Sequence, residues 1–283
     1  MSTTCLPCSI TCNLHTHTRR CKHATGAVVD YARAAIDRGL AILGISDHTP
    51  LPDNRWINVR MDFSELRAYN DEIDAARDAH PELVILKGME CEYAAEYVSF
   101  YRDTLLGELG FDFLIGGAHY FPYRGAWANV YDGTTDLSTL QAYASYVIES
   151  MACGLFAFIA HPDLFGNAYL RWDANAVACA HDILRAAEAF KMPLEINGYG
   201  LRKPVIDTPD GPRRQYPWLS FWKLAAGYDV PVIVNSDAHR PEDIVANMRE
   251  GLAMADACGL SLVDMSRLVP ARTVQHADCL LPA

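Results

Sequence analysis

The chain has 283 residues, of which 51% are hydrophobic and 21% are charged, so it can bury a full core and is not expected to be disordered. Its formal net charge of -11 argues against nucleic acid as a partner, because most of the surface would repel phosphates. The first residues lack the basic start and apolar core of a signal peptide, and no apolar run approaches the ~20 residues of a membrane span. We therefore expect a cytoplasmic protein with no membrane contact.

The hydrophobic pattern alternates short apolar strands with amphipathic helices, which is typical of repeated βα units around a parallel sheet. We predict seven strands, at residues 11–16, 41–46, 83–88, 111–116, 155–160, 193–197 and 231–235. Helical spines are predicted over residues 63–76, 137–151, 176–187 and 244–255, the first preceded by a capping box of Asp62 and Glu65. No linker divides the chain, so we predict one domain over 1–283, with 1–10 and 265–283 peripheral.

Polar side chains gather where the predicted strands end. They lie at or just after the carboxyl end of each strand: His15, His17, Asp47, His48, Glu90, His119, His161, Glu195, Asp237 and His239. In a βα barrel these ends share one rim, so residues far apart in the sequence converge there. An open doubly wound sheet would gather ligands mostly at a single crevice. The pattern favours an α/β fold with a closed or nearly closed barrel of seven strands.

Two of these clusters have the spacing of a metal clamp. His15 and His17 are two residues apart, and so are Asp237 and His239. Alternate residues of a strand share a face, and imidazole and carboxylate are common ligands of zinc, iron and manganese. A strand that ends in two inward histidines has no packing rationale, so we interpret His15 and His17 as ligands. One pair with this spacing occurs often by chance, but two pairs together with the other clusters are harder to explain in that way. The isolated His80, His181 and His276 are given no role.

Asp47 and His48 are adjacent, so only one would face inward on a regular strand. We favour His48 as a metal ligand, with Asp47 orienting a ligand from behind. Glu90 and Glu92 share one face of their strand, and a carboxylate can bridge two cations. Glu90 is the preferred ligand because we expect it to lie nearer the strand end.

The remaining candidates are weaker when each is taken alone. His119 and His161 follow buried runs and are favoured as ligands, whereas His23 could equally be a loop or helix-capping residue. Glu195 fits a hydrogen-bonding role beside Asn197 as well as a ligand role, and we place it behind the ligands. Arg202 and Lys203 follow the same strand and could bind a phosphate at the rim.

Nine cysteines in a long chain without a secretion signal indicate reduced thiols rather than a disulfide framework. Cys5, Cys8 and Cys12 could form a small metal-binding knuckle, but no matching second pair lies nearby. We assign these three cysteines no role.

Four short motifs follow one another along the chain: HTH at 15–17, SDH at 46–48, AHP at 160–162 and SDAH at 236–239. Together they resemble the motifs of the polymerase and histidinol phosphatase (PHP) superfamily. The strings NLHTHTRRCKHA, GMECEY, DFLIGGAHY and EINGYGLRK are similar to its histidinol-phosphatase branch. The resemblance extends over about residues 11 to 250, and its specificity comes from the ordered set rather than from any single motif.

The resemblance implies a distorted seven-stranded (β/α)7 barrel that holds three divalent metal ions, which are zinc, iron or manganese. The first ion would be held by His15, His17, Glu90 and Asp237. The second would share Glu90 and add His119 and His161. The third would be held by His23, His48 and His239. The resemblance therefore favours a ligand role for His23, which its position alone does not.

The resemblance also implies a phosphatase. Three divalent cations far exceed the charge of Glu90 and Asp237, so the centre would attract a small phosphomonoester despite the acidic exterior. A metal-bridging hydroxide would attack phosphorus while Arg202 stabilises the equatorial oxygens. The proton for the leaving alkoxide could come from a metal-bound water, Asp47 or a rim histidine such as His239. L-Histidinol phosphate is the expected substrate, although the insertion FPYRGAWANVYDGTTD and the loop PVIDTPDGPRRQ depart from the branch and border the pocket.

Three alternatives remain open. The same metals could act on another small phosphate ester, a nucleotide or oligonucleotide ends. The domain could instead be a non-catalytic metal-binding module, although such modules normally lack some ligands. An amidohydrolase-type enzyme would need a lysine at the end of a strand, and Lys87 lies inside its run. The sequence does not indicate an oligomeric state.

Overall fold

A computed structural model describes residues 10–263 of the chain. Its strands are β1 (Cys12–Asn13), β2 (Ile42–Ile45), β3 (Val84–Glu92), β4 (Phe113–Gly117), β5 (Tyr120–Tyr123), β6 (Ala126–Asn129), β7 (Phe158–Ile159), β8 (Leu194–Asn197), β9 (Pro231–Asn235) and β10 (Ser261–Leu262). Its α-helices are α1 (Val28–Asp37), α2 (Leu66–Ala79), α3 (Val130–Gly133), α4 (Leu137–Ala152), α5 (Ala174–Phe190), α6 (Gly198–Arg202), α7 (Leu219–Ala225) and α8 (Met248–Cys258). A π-helix, Phe100–Glu108, precedes β4. Within residues 10–263, no helix combines the length and the apolar character needed to cross a bilayer.

The sheet is parallel and curls back on itself. Eight strands follow the order β1-β2-β3-β4-β7-β8-β9-β10, and β5 pairs with β6 in a separate antiparallel hairpin. Beyond the carboxyl ends of β1 and β9, Thr16 and Ala238 form a parallel bridge. The amide of His17 donates to the carbonyl of Ala238 at 2.8 Å, so the two sides of the sheet meet there. The predicted α/β architecture around a parallel sheet is confirmed.

The predicted number of strands is not reproduced, because the sheet has eight strands rather than seven. The additional strand is β10, in which Ser261 pairs with Pro231 at the start of β9. It has two exposed residues and no apolar alternation, so no pattern identified it. The hairpin of β5 and β6 was also missed, because it lies within the insertion after His119.

Several predicted boundaries also change. β3 continues to Glu92, so Glu90 and Glu92 lie inside the strand and not beyond it. β1 and β7 have only two residues each. Helix α8 begins at Met248 and not at Ile244, because a 3-10 turn over Pro241–Asp243 comes first. The capping box of Asp62 and Glu65 is present as predicted.

The terminal segments predicted to be peripheral fall, apart from Ile10, outside the described residues. Cys5 and Cys8 also lie outside them. Cys12 belongs to β1 and packs in an apolar cluster inside the sheet, so it has a packing role rather than the knuckle role that we considered.

Two apolar clusters position the site. The larger lies between the sheet and its helices, and the smaller lies inside the curled sheet. Phe113 fills the interior, where Gly44 and Gly88 leave room for its ring because a Cβ at either position would collide with it. Along β3 the alternate residues Leu86, Gly88, Glu90 and Glu92 share the inner face, so the interior changes from apolar to acidic toward the carboxyl end.

Candidate metal centre

The predicted ligands converge at the carboxyl ends of the strands. A cavity of about 230 Å³ opens there. Eight of the nine predicted ligands line it: His17, His23, His48, Glu90, His119, His161, Asp237 and His239. The ninth, His15, is fully buried beneath them, with its Nε2 atom 3.4 Å from the Glu90 carboxylate. The structure therefore brings together all nine side chains.

The two carboxylate oxygens of Glu90 face different imidazoles. Oε2 lies 3.0 Å from Nδ1 of His48 and 3.4 Å from Nε2 of both His15 and His17. Oε1 lies 3.0 Å from Nε2 of His161 and 3.6 Å from Nε2 of His119. A carboxylate placed between two sets of nitrogen donors can bridge two cations.

Asp237 occupies the opposite side of the cluster. Its Oδ1 atom lies 3.2 Å from Nε2 of His17, 3.7 Å from Nε2 of His15 and 3.3 Å from Nδ1 of His239. The ligand atoms of His15, His17 and Asp237 lie within 4.8 Å of one another, close enough to hold one ion.

His23, His48 and His239 approach each other at the cavity mouth. The ring of His23 lies 4.9 Å from that of His239 and 5.4 Å from that of His48. His17 also contacts this group, since its ligand atom lies within 4.8 Å of those of His48 and His239. The Nδ1 atom of His23 lies 2.8 Å from the carbonyl of Cys21, which fixes the tautomer and leaves Nε2 as the free donor atom.

Two of the predicted ligands have a left-handed backbone. His161 has a φ of 32° and Asp237 a φ of 48°, values that are uncommon for residues other than glycine, although aspartate and histidine adopt them more often than most. His161 has the parity of Ile159, which packs in the larger cluster between the sheet and its helices, so strand alternation alone would direct it outward, whereas Asp237 has the parity of Ile233 on the inner face. Such strain persists where the surrounding structure enforces it and is frequent at functional sites.

The cluster has buried polar atoms without hydrogen-bond partners among residues 10–263. They are Nε2 of His15, both ring nitrogens of His17, Nδ1 of His48, Oε2 of Glu90, Nδ1 of His161 and Oδ1 of Asp237. Each such atom costs free energy unless a partner compensates for its lost solvation. Cations at this position would provide that partner, and nitrogen and carboxylate donors suit zinc, iron and manganese. The side chains therefore fit a polynuclear metal centre.

The charges of these groups support the same interpretation. Burial lowers the pKa of His48 well below its usual range and that of His239 to about 4, so both imidazoles keep a free lone pair. Burial opposes ionisation of Glu90 and Asp237. The imidazoles of His119 and His15, whose own pKa values are raised, outweigh this effect, and the pKa of each carboxyl lies well below its ordinary value. Two buried carboxylates thus favour positive charge between them.

Two further carboxylates form hydrogen bonds with predicted ligands, on the side of each imidazole that faces away from the centre. Glu195 Oε1 lies 2.9 Å from Nδ1 of His15, and Glu92 Oε1 lies 2.8 Å from Nδ1 of His119. Arg60 donates to Glu92 at 2.9 Å. Burial opposes ionisation of Glu92, but Arg60 and His119 outweigh it and lower its pKa to about 2. These contacts orient the imidazoles toward the centre.

Glu92 and Arg60 are functional residues that the sequence analysis did not assign. Glu92 shares the inner face of β3 with Glu90, and this spacing could have identified it. Arg60 lines the cavity although it lies in the irregular segment between β2 and α2, where no periodic pattern indicates a side-chain direction.

Arg202 does not line the cavity, which corrects its expected contact with a phosphate. Its guanidinium donates to the carbonyls of Ser236 and Asp237, both at 2.9 Å, and to that of Ala246 at 3.2 Å. The α6 helix ends at Arg202, so this side chain turns back against the chain after β9. Lys203, the next residue, lines the cavity instead.

Asp47 is fully buried and lies behind the ligands. It accepts hydrogen bonds from the Thr18 amide at 2.9 Å and from the Thr18 hydroxyl at 2.7 Å. Burial raises its pKa to about 7. Asp47 is not among the residues that line the cavity, so its carboxyl group does not face the place where a leaving group would lie. This position does not favour its expected role as a proton donor.

Aromatic side chains form the rest of the wall. Tyr120 directly follows His119, Tyr131 comes from the insertion after it, and Tyr199 and Tyr216 come from α6 and the loop that follows it. The insertion thus borders the pocket as expected. The other loop that departs from the family pattern, residues 204–215, was also expected to border the pocket. None of its residues lines the cavity, although the next residue, Tyr216, does.

Known proteins resemble this chain in sequence and in fold. Residues 13–198 match the model of the PHP domain family. A protein of Deinococcus radiodurans named "Probable histidinol-phosphatase" is 32% identical over 87% of this chain and 90% of its own length. A "Probable phosphatase" of Shewanella amazonensis is 25% identical over 86% of this chain and 82% of its own.

A crystal structure of histidinol phosphate phosphatase from Lactococcus lactis, complexed with zinc, L-histidinol and phosphate, superposes with a TM-score of 0.66. The match covers 89% of this chain and 95% of that one at 17% identity, so it concerns the fold. The family match spans more than half of the chain, and the Deinococcus relative extends over nearly all of it. The chain therefore belongs to the PHP domain family, with relatives in its histidinol-phosphatase branch.

Proposed function

We propose that the protein is a metal-dependent phosphomonoesterase that hydrolyses L-histidinol phosphate to L-histidinol and phosphate. The observation that carries the proposal is the position of Glu90, whose two carboxylate oxygens face separate sets of imidazoles within a cavity. The substrate follows from the Deinococcus relative, which is named a histidinol-phosphatase and is 32% identical over most of the chain.

The proposed cofactors are three divalent ions. One is assigned to His15, His17, Glu90 and Asp237, a second to Glu90, His119 and His161, and a third to His23, His48 and His239. Zinc is the first choice because the Lactococcus structure contains it, with iron and manganese as alternatives. When bound, such ions supply Lewis-acid stabilisation of phosphate oxygens and a water whose pKa lies near neutrality.

Two cationic side chains at the cavity would bind the phosphate. The Nζ atom of Lys203 lies 5.0 to 5.2 Å from the ring centres of Tyr131, Tyr199 and Tyr216 and forms no ion pair with any residue in 10–263. Arg60 directs part of its guanidinium to Glu92, whereas its buried Nε atom has no hydrogen-bond partner in the described chain. A phosphate dianion would offer both cations charge-assisted hydrogen bonds.

The role of Arg202 becomes one of positioning. By donating to the carbonyls of Ser236 and Asp237, it fixes the turn that carries the Asp237 carboxylate toward His15 and His17. Of the three catalytic candidates Asp47, Arg202 and His239, only His239 lines the cavity. His239 is therefore the better placed of them to contact the leaving oxygen.

The aromatic wall suits an organic group that is small and planar. Three tyrosines surround the Lys203 ammonium, and Tyr120, which also lines the cavity, stacks on Trp56 with a ring separation of 4.1 Å. Such surfaces bind flat rings, and the imidazole of histidinol is one.

An amidohydrolase-type centre is not favoured. The only lysine considered for that chemistry, Lys87, donates to Asp74 at 2.6 Å and to Asn70 at 2.8 Å, both on α2 outside the sheet. We further propose that the seven strands other than β10 correspond to the family barrel, that the chain forms one domain and that it acts in the cytoplasm.

The proposal is tested by ranking a panel of phosphomonoesters by kcat/KM with the zinc-, iron- or manganese-loaded protein. Histidinol phosphate should be hydrolysed most efficiently, ahead of nucleoside monophosphates and sugar phosphates. If another ester were clearly preferred, the proposed phosphatase activity would stand, but histidinol phosphate would no longer be the proposed substrate. No turnover of any ester with any of the three metals would contradict the function.

A further inference from the structure

Cys21 lies beside the predicted metal ligands, behind the residues that line the cavity. The side chain is fully buried, and its Sγ atom lies within 4.8 Å of a ring nitrogen of His23 and of His239. The same sulfur forms a second compact group with His17 and Asp47. A thiol at this distance from two imidazoles can share a cation with them.

The surroundings of Cys21 differ from those of the other buried cysteines. Cys91 and Cys179 pack in the larger apolar cluster and Cys12 in the smaller one, whereas Cys21 belongs to neither cluster of residues 10–263. Its sulfur instead lies beside polar groups, with ring nitrogens of His23 and His239 in one compact group and His17 with the Asp47 carboxylate in the other. A cation held by these groups would bind the sulfur as thiolate, because metal binding displaces the thiol proton.

The local backbone explains why both side chains reach the same place. The 3-10 turn Arg19–Cys21 begins at Thr18, whose side chain caps it. Lys22 then adopts a left-handed conformation with a φ of 71°, which reverses the chain between Cys21 and His23. The His23 ring bonds to the Cys21 carbonyl through Nδ1, so its Nε2 atom and the sulfur remain as donor atoms.

We propose that the Cys21 thiolate is an additional ligand of the metal ion held by His23 and His239. The inference rests on the metal centre of the proposed function and is independent of the substrate. The sulfur–metal bond forms as the S–H proton leaves to solvent, and no electrons are transferred. Because thiolate is a soft donor, this position would favour zinc or cobalt over manganese.

The test uses the full chain loaded with cobalt(II). Thiolate coordination to cobalt produces an intense near-ultraviolet charge-transfer band that imidazole and carboxylate ligands do not produce. We expect this band in the wild type at full loading, and we expect it to disappear in Cys21→Ser. Cys153→Ser is the matched control, because Cys153 is partly exposed and bonds only to the Ser150 carbonyl, so the band should remain.

X-ray absorption on the zinc-loaded wild type provides a measurement that does not depend on the folding of a variant. A sulfur shell at about 2.3 Å is expected beside nitrogen and oxygen shells at about 2.0–2.1 Å. Full metal loading with neither the charge-transfer band nor the sulfur shell would overturn this inference alone. Failure to bind cobalt or zinc at all would overturn both the inference and the proposed metal-dependent function.

Discussion

The Nδ1 atom of His15 lies 2.9 Å from Oε1 of Glu195, and both side chains are fully buried. Glu195 is itself held by Asn235, which donates to Oε1 at 3.0 Å, and by Asn197, which donates to Oε2 at 2.7 Å. The carboxylate therefore has a fixed position, and it directs the Nε2 atom of His15 toward Glu90. The orientation of a candidate ligand is thus set by residues that never reach the cavity.

Removing the charge of Glu195 should weaken metal binding without removing a ligand. Glu195→Gln keeps the shape but loses the charged acceptor that holds His15, so we expect metal affinity to fall about 10–100-fold. Competition with a chromophoric chelator measures the change. Glu149→Gln, an exposed change on α4, is the control and should bind metal as the wild type does. If Glu195→Gln bound metal as tightly as the wild type, the hydrogen bond between Glu195 and His15 would not be needed for metal binding.

Glu90→Gln should abolish turnover while leaving the fold largely intact. The change removes a bridging carboxylate but none of the apolar core, and losing several kcal/mol of transition-state stabilisation lowers kcat by roughly a thousandfold or more. Steady-state kinetics with histidinol phosphate measure the loss, and circular dichroism checks the fold. Near-normal activity would refute the role of Glu90.

Lys203 and Arg202 should behave differently although they are adjacent. Lys203→Gln removes a cation that lines the cavity, and a charge-assisted hydrogen bond of about 1.5–3 kcal/mol corresponds to a 10–150-fold loss of kcat/KM. Arg202→Gln should instead lower metal affinity, since it frees the carbonyls of Ser236 and Asp237.

The two variants are compared by kinetics at saturating metal together with metal titrations. Lys191→Gln is the control for Lys203, because Lys191 pairs with Asp229 on the exposed surface and should have no effect. If Arg202→Gln, fully loaded with metal, loses as much kcat/KM as Lys203→Gln, the arginine contacts the substrate after all.

Stripping the metals should destabilise the protein. Glu90 and Asp237 are buried carboxylates whose charges would then be balanced only by imidazoles. A ligand present at 100 times its Kd stabilises the folded state by about 2.7 kcal/mol, so chelation should lower Tm by several degrees and added zinc should restore it. Calorimetry with and without chelator measures this. An unchanged Tm would indicate that the cluster binds no metal tightly.

Strand periodicity accounts for what the sequence could predict about the site. Glu90 and His119 continue the inner-face alternation of β3 and β4, so their direction follows from a period of two. Asp237 likewise continues the inner-face alternation of β9, whereas the inward direction of His161 accompanies a positive φ that no pattern indicated.

Other features depend on tertiary contacts that sequence patterns do not encode. Arg202 and Lys203 end the same short helix, and which of them faces the cavity is decided by the carbonyls that Arg202 meets after β9. Arg60 reaches the centre from an irregular loop by pairing with Glu92, 32 positions away. The short strand β10 is defined by its pairing with the start of β9, which no alternation in its own two residues indicates.

The central claim is that nine side chains that meet at the carboxyl edge of the sheet hold three divalent ions around the Glu90 carboxylate. Anomalous X-ray scattering at the zinc absorption edge, from crystals of the zinc-loaded protein, tests it most directly. The account predicts three anomalous peaks within the cavity, two of them flanking the Glu90 carboxylate. Peaks elsewhere on the molecule, or fewer than three at full loading, would contradict it.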